Sequence, residues 1–134
     1  MVKSYSFEAL ELVGENPHVR LDSITRLAAR VLGAPISLAS VIQPHLDRQF
    51  FTSSVGLSDD LTAQRQTPLD LSICRFVQSA KTLLSIPDLQ CDARTAENPL
   101  VLEHGLRSYI GAPIHAASGQ PIGALCCIDT KACI

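Results

Sequence analysis

Tryptophan is missing from this 134-residue chain, methionine occurs once, and two tyrosines and four phenylalanines are its only rings of six carbons. So few rings leave no platform for stacking bases. The 11 lysines and arginines stand against 13 acids and form no cluster, whereas phosphate backbones are held by clustered basic side chains. Nucleic acid is therefore not expected as a partner. No stretch approaches the ~20 apolar residues that span a bilayer, which argues against membrane contact. Glu8 and Glu11 interrupt the N-terminal segment where a secretory signal would need an apolar core. These absences predict a cytoplasmic protein.

Cysteine is present, but not in a pattern that staples or ligates. The five positions, Cys74, Cys91, Cys126, Cys127 and Cys133, contain no Cys-x-x-Cys spacing, and no histidine lies at a zinc-like offset. An odd number without a secretory signal predicts reduced thiols and no structural metal. The remainder of the composition is that of a folded domain. Apolar residues make up 46% of the chain and the net charge is −2, the opposite of a disordered composition. A chain of this length hides roughly two-thirds of its unfolded surface in one core.

Periodicity then divides the chain. Leu21, Ile24, Leu27, Ala28, Val31 and Leu32 recur at three- and four-residue steps, predicting a helix that buries this stripe and stops at Gly33 and Pro35. Residues 35–43 read as a strand with Ile36, Leu38, Ser40 and Ile42 on one face, and residues 48–55 as its hairpin partner. Residues 56–68 are polar and read as a loop. Ile73, Phe76, Val77 and Ala80 mark a second helix capped by Asp70 or Ser72. Thr82 to Ile86 is a short strand ended by Pro87 and Asp88. Asn98, Pro99 and Gly105 delimit a third helix. Ser108 to Ala116 and Pro121 to Asp129 form two strands about a Ser118–Gly119 turn. Hairpin-joined strands and the lack of strict strand–helix alternation predict an α+β fold with a largely antiparallel sheet.

Several segments, in order, resemble the GAF family: Ser72-Ile73-Cys74-Arg75-Phe76-Val77, Leu84-Ser85-Ile86-Pro87-Asp88, Ala96-Glu97-Asn98-Pro99-Leu100-Val101, Ser108-Tyr109-Ile110-Gly111-Ala112-Pro113-Ile114, and Pro121-Ile122-Gly123-Ala124-Leu125-Cys126-Cys127-Ile128-Asp129. Leu27 to Arg30, Gly33 to Ile36 and Asp47 to Phe51 extend the likeness over residues 20–130. The resemblance implies a single domain, residues 21–134, behind an N-terminal helical extension at 1–20. It implies about six antiparallel strands with helices on both sides, and a ligand cavity between the sheet and the second and third helices. Similar domains are sensory inputs of bacterial histidine kinases, of two-component systems generally, and of cyclic-di-GMP enzymes. The expected partners are thus a small-molecule ligand, an attached output domain beyond Ile134, and a second copy in a homodimer to which Phe7 to Val13 contributes.

Chemistry-bearing residues are few. Cys74 stands near a helix start, where thiol pKa falls, and is a redox candidate as well as a small apolar filler. Cys126 and Cys127 are adjacent in a strand and must point to opposite faces. Cys91-Asp92 partly matches the nucleophile region of free-methionine-sulfoxide reductases of this fold, but Ser72-Ile73-Cys74-Arg75 departs from the glycine-flanked cysteine of those enzymes. Cyclic-nucleotide and bilin signatures are missing, the latter because Arg75 and not histidine follows Cys74. Of the histidines, His115 is the best placed to face a cavity; His18 and His45 fall in loops and His104 ends the third helix. Ser72 and Cys74 at the second helix, with Asp88, Tyr109 and His115, are the ligand-binding candidates. The second helix start is expected to offer amides to an anion. Tyr109 is otherwise a core residue, Asp88 a turn cap and Arg107 a solvated charge. No nucleophile–base pair, paired carboxylates or phosphate loop stands out, and the residues name no cofactor. The reading is a sensory domain, not itself an enzyme, that binds a small molecule or senses redox state to control an output. The alternatives are a ligand-free dimerisation module and a sulfoxide reductase.

Overall fold

A short hairpin begins the sheet and a second hairpin, more than sixty residues later, completes its centre. The computed structural model describes residues 19–115 and 118–132. The extension proposed for residues 1–20, apart from its last two residues, lies outside them, as do Phe7 to Val13, His18 and Cys133. Helix α1 (Val19–Leu32) leads into strands β1 (Ile36–Gln43) and β2 (Arg48–Val55). Helix α2 (Asp59–Gln64) and strand β3 (Gln66–Pro68) follow, then α3 (Cys74–Ala80), β4 (Leu84–Ile86), α4 (Pro99–His104), β5 (Ser108–His115) and β6 (Pro121–Asp129). The sheet order is β3-β2-β1-β6-β5-β4, with every neighbouring pair antiparallel. The α+β architecture and six antiparallel strands expected from the sequence are present, with α1 on one face and the other helices on the opposite one.

Local chemistry explains most boundaries. Asn98 Oδ1 accepts from the Leu100 amide at 2.9 Å, Pro99 needs no partner at the first helical position, and Gly105 takes φ 64° to end α4. Ser72 Oγ accepts from the Arg75 amide at 3.2 Å and starts α3, whereas Asp70 lies in a single turn of tighter helix, Leu69–Leu71. The expected loop at 56–68 is corrected. Ser58 caps α2 through the Leu61 amide, Asp59 and Asp60 favour its first turn, and Arg65 closes it in a left-handed conformation. Its apolar signal is a single residue, Leu61, packed against the core.

The face of α1 is also corrected. Ile24, Leu27, Val31 and Leu32, expected to be buried, are 47 to 72% exposed, while Thr25 is fully buried and Ala28 and Ala29 are half-buried. The sheet surface beneath carries small or polar residues, Ser37, Ala39 and Ser53, and Ser53 donates to the Asp22 carboxylate of α1. A small-residue sheet face admits the small side of a helix, so the large apolar side turns outward.

A bulge gives β2 two outlooks. Ala39 pairs with Ser53 but Ser40 pairs with Phe51, leaving Thr52 as the extra residue. Phe51 consequently joins the core facing α3, while Ser53 faces α1. That core contains Leu38, Ile42, Val77, Ile86, Leu89 and Val101. Burying one such valine or leucine side chain contributes about 1.5–3 kcal/mol.

At the centre, β1 and β6 pair from Ile36↔Ile128 to Val41↔Gly123. A Cβ on Gly123 would collide with the Ser40 carbonyl. Gly123→Ala should therefore destabilise the domain by about 2 kcal/mol, the typical cost of overpacking. Thermal or urea denaturation checks this; an unchanged midpoint would show that the two strands have room to part.

Candidate functional site

On the α3 side of the sheet lies a cavity of about 380 Å³. Its floor is Ile36 and Leu38 of β1, Gln49 and Phe51 of β2, Tyr109 of β5 and Ile128 of β6. Its roof is Leu61 of α2, Ile73 and Cys74 at the start of α3, and Leu100 and His104 of α4. Exposed Pro35, Gly56, Ser58 and Thr130 form the rim. Among the described residues, no lysine, arginine, aspartate or glutamate lines it.

Sequence explains how the roof is held. The Asn98 side-chain amide donates to the Leu71 carbonyl at 3.0 Å, tying the cap of α4 to the segment before α3. Thr95 Oγ1 donates to the Leu89 carbonyl at 2.6 Å and steadies the connection from β4. One wall is a polar relay. Ser72 Oγ donates to Gln49 Oε1 at 2.7 Å, and Gln49 Nε2 donates to Thr67 Oγ1 at 3.1 Å. All three are buried, so each partner offsets the desolvation of the next.

The thiol of Cys74 forms a second polar point. Tyr109 Oη donates to Cys74 Sγ at 3.2 Å, and the Sγ atoms of Cys74 and Cys126 are 3.7 Å apart. Cys74 is held down at about 7 by its hydrogen bond with Cys126, against the upward push of burial, with the Ser40 and Tyr109 hydroxyls assisting. Cys126 moves the other way, well above the ordinary thiol range, because of the same hydrogen bond with Cys74 and because it is desolvated. Burial likewise pushes the Tyr109 phenol up, so it remains a donor. The cause of the Cys74 shift differs from the helix-start effect expected, because these donors come from the sheet.

The remaining candidates scatter. Ser72 stands behind the cavity wall, and its oxygen already accepts the Arg75 amide, which removes that amide from any anion. Asp88 is not in the lining; it accepts from the Gln90 amide at 3.1 Å, as a turn cap does, and from Arg107 at 2.9 and 2.6 Å. Arg107, expected as a solvated charge, is thus half of a two-pronged ion pair. His115 is exposed at the end of β5, beyond a register shift, so it does not share the inward face of Tyr109. Cys91 is exposed and donates to Asp88 at 3.4 Å, and that carboxylate pushes its thiol up. Cys127 faces away from Cys126 and lies 3.6 Å from the Ser37 hydroxyl, as strand alternation requires. Among the described residues no group of three or more His, Cys, Asp or Glu comes together as a metal site, and no helix is long and apolar enough to cross a membrane.

Sequence reasoning missed Gln49, Thr67, Leu100 and His104. Gln49 carried a signal: a long polar side chain between Arg48 and two phenylalanines in a strand that is buried along most of its length.

The Asp88–Arg107 pair makes a pH prediction. Arg107 lowers the Asp88 carboxyl to about 2. The stabilisation from this group is then fully present above the unfolded value of about 4 and fades as pH falls toward 2. Carboxyl NMR should show Asp88 still ionised at about pH 3, and Arg107→Gln should return it to the ordinary range. An ordinary midpoint in the unmodified chain would contradict the pairing.

Comparison with known proteins places these features. The profile of the GAF domain family matches residues 16–132. A cyclic di-GMP phosphodiesterase of Pseudomonas aeruginosa is 34% identical over 125 residues, which cover 92% of this chain but 20% of that protein. The chain therefore spans about a fifth of its relative's length. The GAF domain of a phosphoenolpyruvate-protein phosphotransferase from Coxiella burnetii superposes with a TM-score of 0.69 at 14% identity, covering 92% of this chain and 73% of that one. A free methionine-R-sulfoxide reductase from Neisseria meningitidis, solved with its substrate, gives 0.65 at 14% identity over 85% and 63%. At such identities the two structures establish a shared fold.

Proposed function

The chain belongs to the GAF domain family, and from that premise we propose that it is a sensory module whose cavity takes an uncharged small molecule and so controls an attached signalling output. The observation that carries this reading is the cavity of about 380 Å³ with a largely apolar lining and, among the described residues, no lysine, arginine, aspartate or glutamate. Its volume lies at the small end of the range for ligand pockets, and pockets of that kind bind through apolar contact while a few polar groups set orientation. Gln49, Thr67, Tyr109 and His104 are such groups. A multiply charged nucleotide finds no counter-charge there and would be desolvated at a cost of several kcal/mol.

A ligand controls an output only by binding two conformations unequally. The roof from α2 to α4 consists of two six-residue helices and the start of a seven-residue one, and these short pieces rest on the sheet mainly through side-chain packing. The relative from Pseudomonas is a cyclic di-GMP phosphodiesterase, which supports an enzyme of second-messenger turnover as the attached output. The sulfoxide-reductase alternative finds little support, because Cys91 is exposed and does not line the cavity.

A thermal-shift screen should find neutral, metabolite-sized compounds that stabilise the chain, by about 2.7 kcal/mol at a hundredfold excess over Kd. Leu100→Trp, which fills the roof, should abolish the shift without unfolding the protein. A blank screen, or stabilisation by anionic nucleotides alone, would overturn the proposal.

A second reading rests on the exposed stripe of α1. Ile24, Leu27 and Val31 follow a three-and-four-residue spacing, which suits pairing of two helices. We infer a homodimer through α1. Light scattering should show a dimer in the unmodified chain and a monomer in Leu27→Glu/Val31→Glu; a monomer at high concentration in both would reject it.

A further inference from the structure

Two thiols meet where the cavity floor and roof join, and neither the fold nor the ligand reading requires both to be cysteine. Cys74 Sγ, from the first turn of α3, lines the cavity. Cys126, 52 residues later on β6, is completely buried behind it, with the sulfurs 3.7 Å apart. Cys126 holds its place because β6 lies between β1 and β5, paired with Leu38 on one side and Gly111 on the other. Cys74 is presented by Ser72, whose side chain both starts α3 and bonds to Gln49 of β2. The hydroxyl of Tyr109 points at Cys74 Sγ from 3.2 Å.

We propose that Cys74 and Cys126 are a peroxide-responsive dithiol, oxidised to an intramolecular disulfide at the inner end of the cavity. The co-reactant is a small hydroperoxide, hydrogen peroxide being the simplest, and the cavity gives it a route from the rim to Cys74. The Cys74 thiolate attacks one peroxide oxygen; an S–O bond forms, the O–O bond breaks, and hydroxide leaves and is protonated to water. Cys74 is oxidised to the sulfenic acid and the peroxide is reduced. Cys126 then attacks the Cys74 sulfur; the S–S bond forms, the S–O bond breaks, and the hydroxyl leaves with the Cys126 proton as a second water. Two thiols and one peroxide thus give one disulfide and two waters.

Geometry and charge suit these roles. Thiolate character decides which cysteine reacts, and hydrogen bonding with Cys126, Ser40 and Tyr109 keeps Cys74 at about 7 while Cys126 stays protonated. Cys126 is held within one small side-chain movement of the sulfenic sulfur, since the bonded distance is about 2.0 Å. Cys127 cannot replace it, because it faces Ser37 on the other side of the sheet. The bond would draw the start of α3 onto β6, withdraw Cys74 from the cavity wall and take away the acceptor of the Tyr109 hydroxyl. Oxidation would therefore act on the same roof that a ligand contacts. The chemistry does not rest on the ligand reading, because the thiols react whether or not an organic molecule binds.

The 134-residue chain, reduced and then freed of reductant, is treated with one equivalent of hydrogen peroxide. Remaining thiols are alkylated and peptides are mapped without reduction, with fragmentation that tells Cys126 from Cys127. The expected product joins Cys74 to Cys126, leaves Cys127 alkylated and reverts with dithiothreitol. Its rate of formation should climb with pH through about 7 as Cys74 ionises. Cys126→Ala should leave a sulfenic acid on Cys74 that dimedone traps, and Cys74→Ala should slow oxidation of Cys126 by about tenfold or more. The unmodified chain decides the matter even if a variant fails to fold. Oxidation confined to exposed Cys91, a link from Cys74 to Cys127, or full alkylation of both Cys74 and Cys126 after peroxide would overturn the proposal.

Discussion

The antiparallel pairing of β1 with β6 joins the two ends of the described chain at the middle of the sheet, and the site exists because of it. Ile36 lies opposite Ile128 and Val41 opposite Gly123, so residues 82 to 92 positions apart share one surface. Both strands are covered on both faces, and their backbone groups are satisfied by each other, by β2 and by β5. With that pairing fixed, Leu38 and Ile128 become cavity floor and Cys126 comes to lie under α3. Closing so long a loop carries an entropic cost that grows slowly with length; the burial of aliphatic side chains on the α3 face offsets it.

The two faces of the sheet solve different problems. The α3 face is large and apolar, but its covering helices are too short to fill the space, and a largely apolar cavity remains between them and the strands. The α1 face carries small residues, which accept only the small side of a long helix. The bulge at Thr52 lets β2 serve both, placing Phe51 in the cavity wall and Ser53 against Asp22. An outward apolar stripe on α1 and an inward apolar cavity are consequences of the same division. They suit the role proposed above, with a cavity to receive a ligand and a surface to transmit its effect.

Among the described residues ten polar side chains are buried, and most of their polar atoms are committed. Gln49, Ser72 and Thr67 satisfy one another, and Tyr109 is satisfied by a sulfur. A buried group without a partner costs about 1–3 kcal/mol, so these side chains are held in defined positions. That rigidity makes the Cys74–Cys126 approach a fixed feature of the fold and gives the cavity polar points at set places.

Local sequence determined most of the elements, though not α2 and β3. Asn98, Pro99 and Gly105 delimit α4 because capping is a matter of neighbouring residues, and the strand at 121–129 follows from an apolar run beyond a turn. Strand alternation placed Cys126 and Cys127 on opposite faces with no knowledge of the fold. It could not show which side of α1 meets the sheet, since an apolar stripe suits a protein partner as well as a core. Nor could it bring Cys74 to Cys126, part Asp88 from the cavity, or turn His115 outward, because each depends on sheet order and on a shift in register. Those were decided by tertiary structure alone: periodicity is a property of neighbours along the chain, whereas a site is made by residues that only the pairing of distant strands brings together.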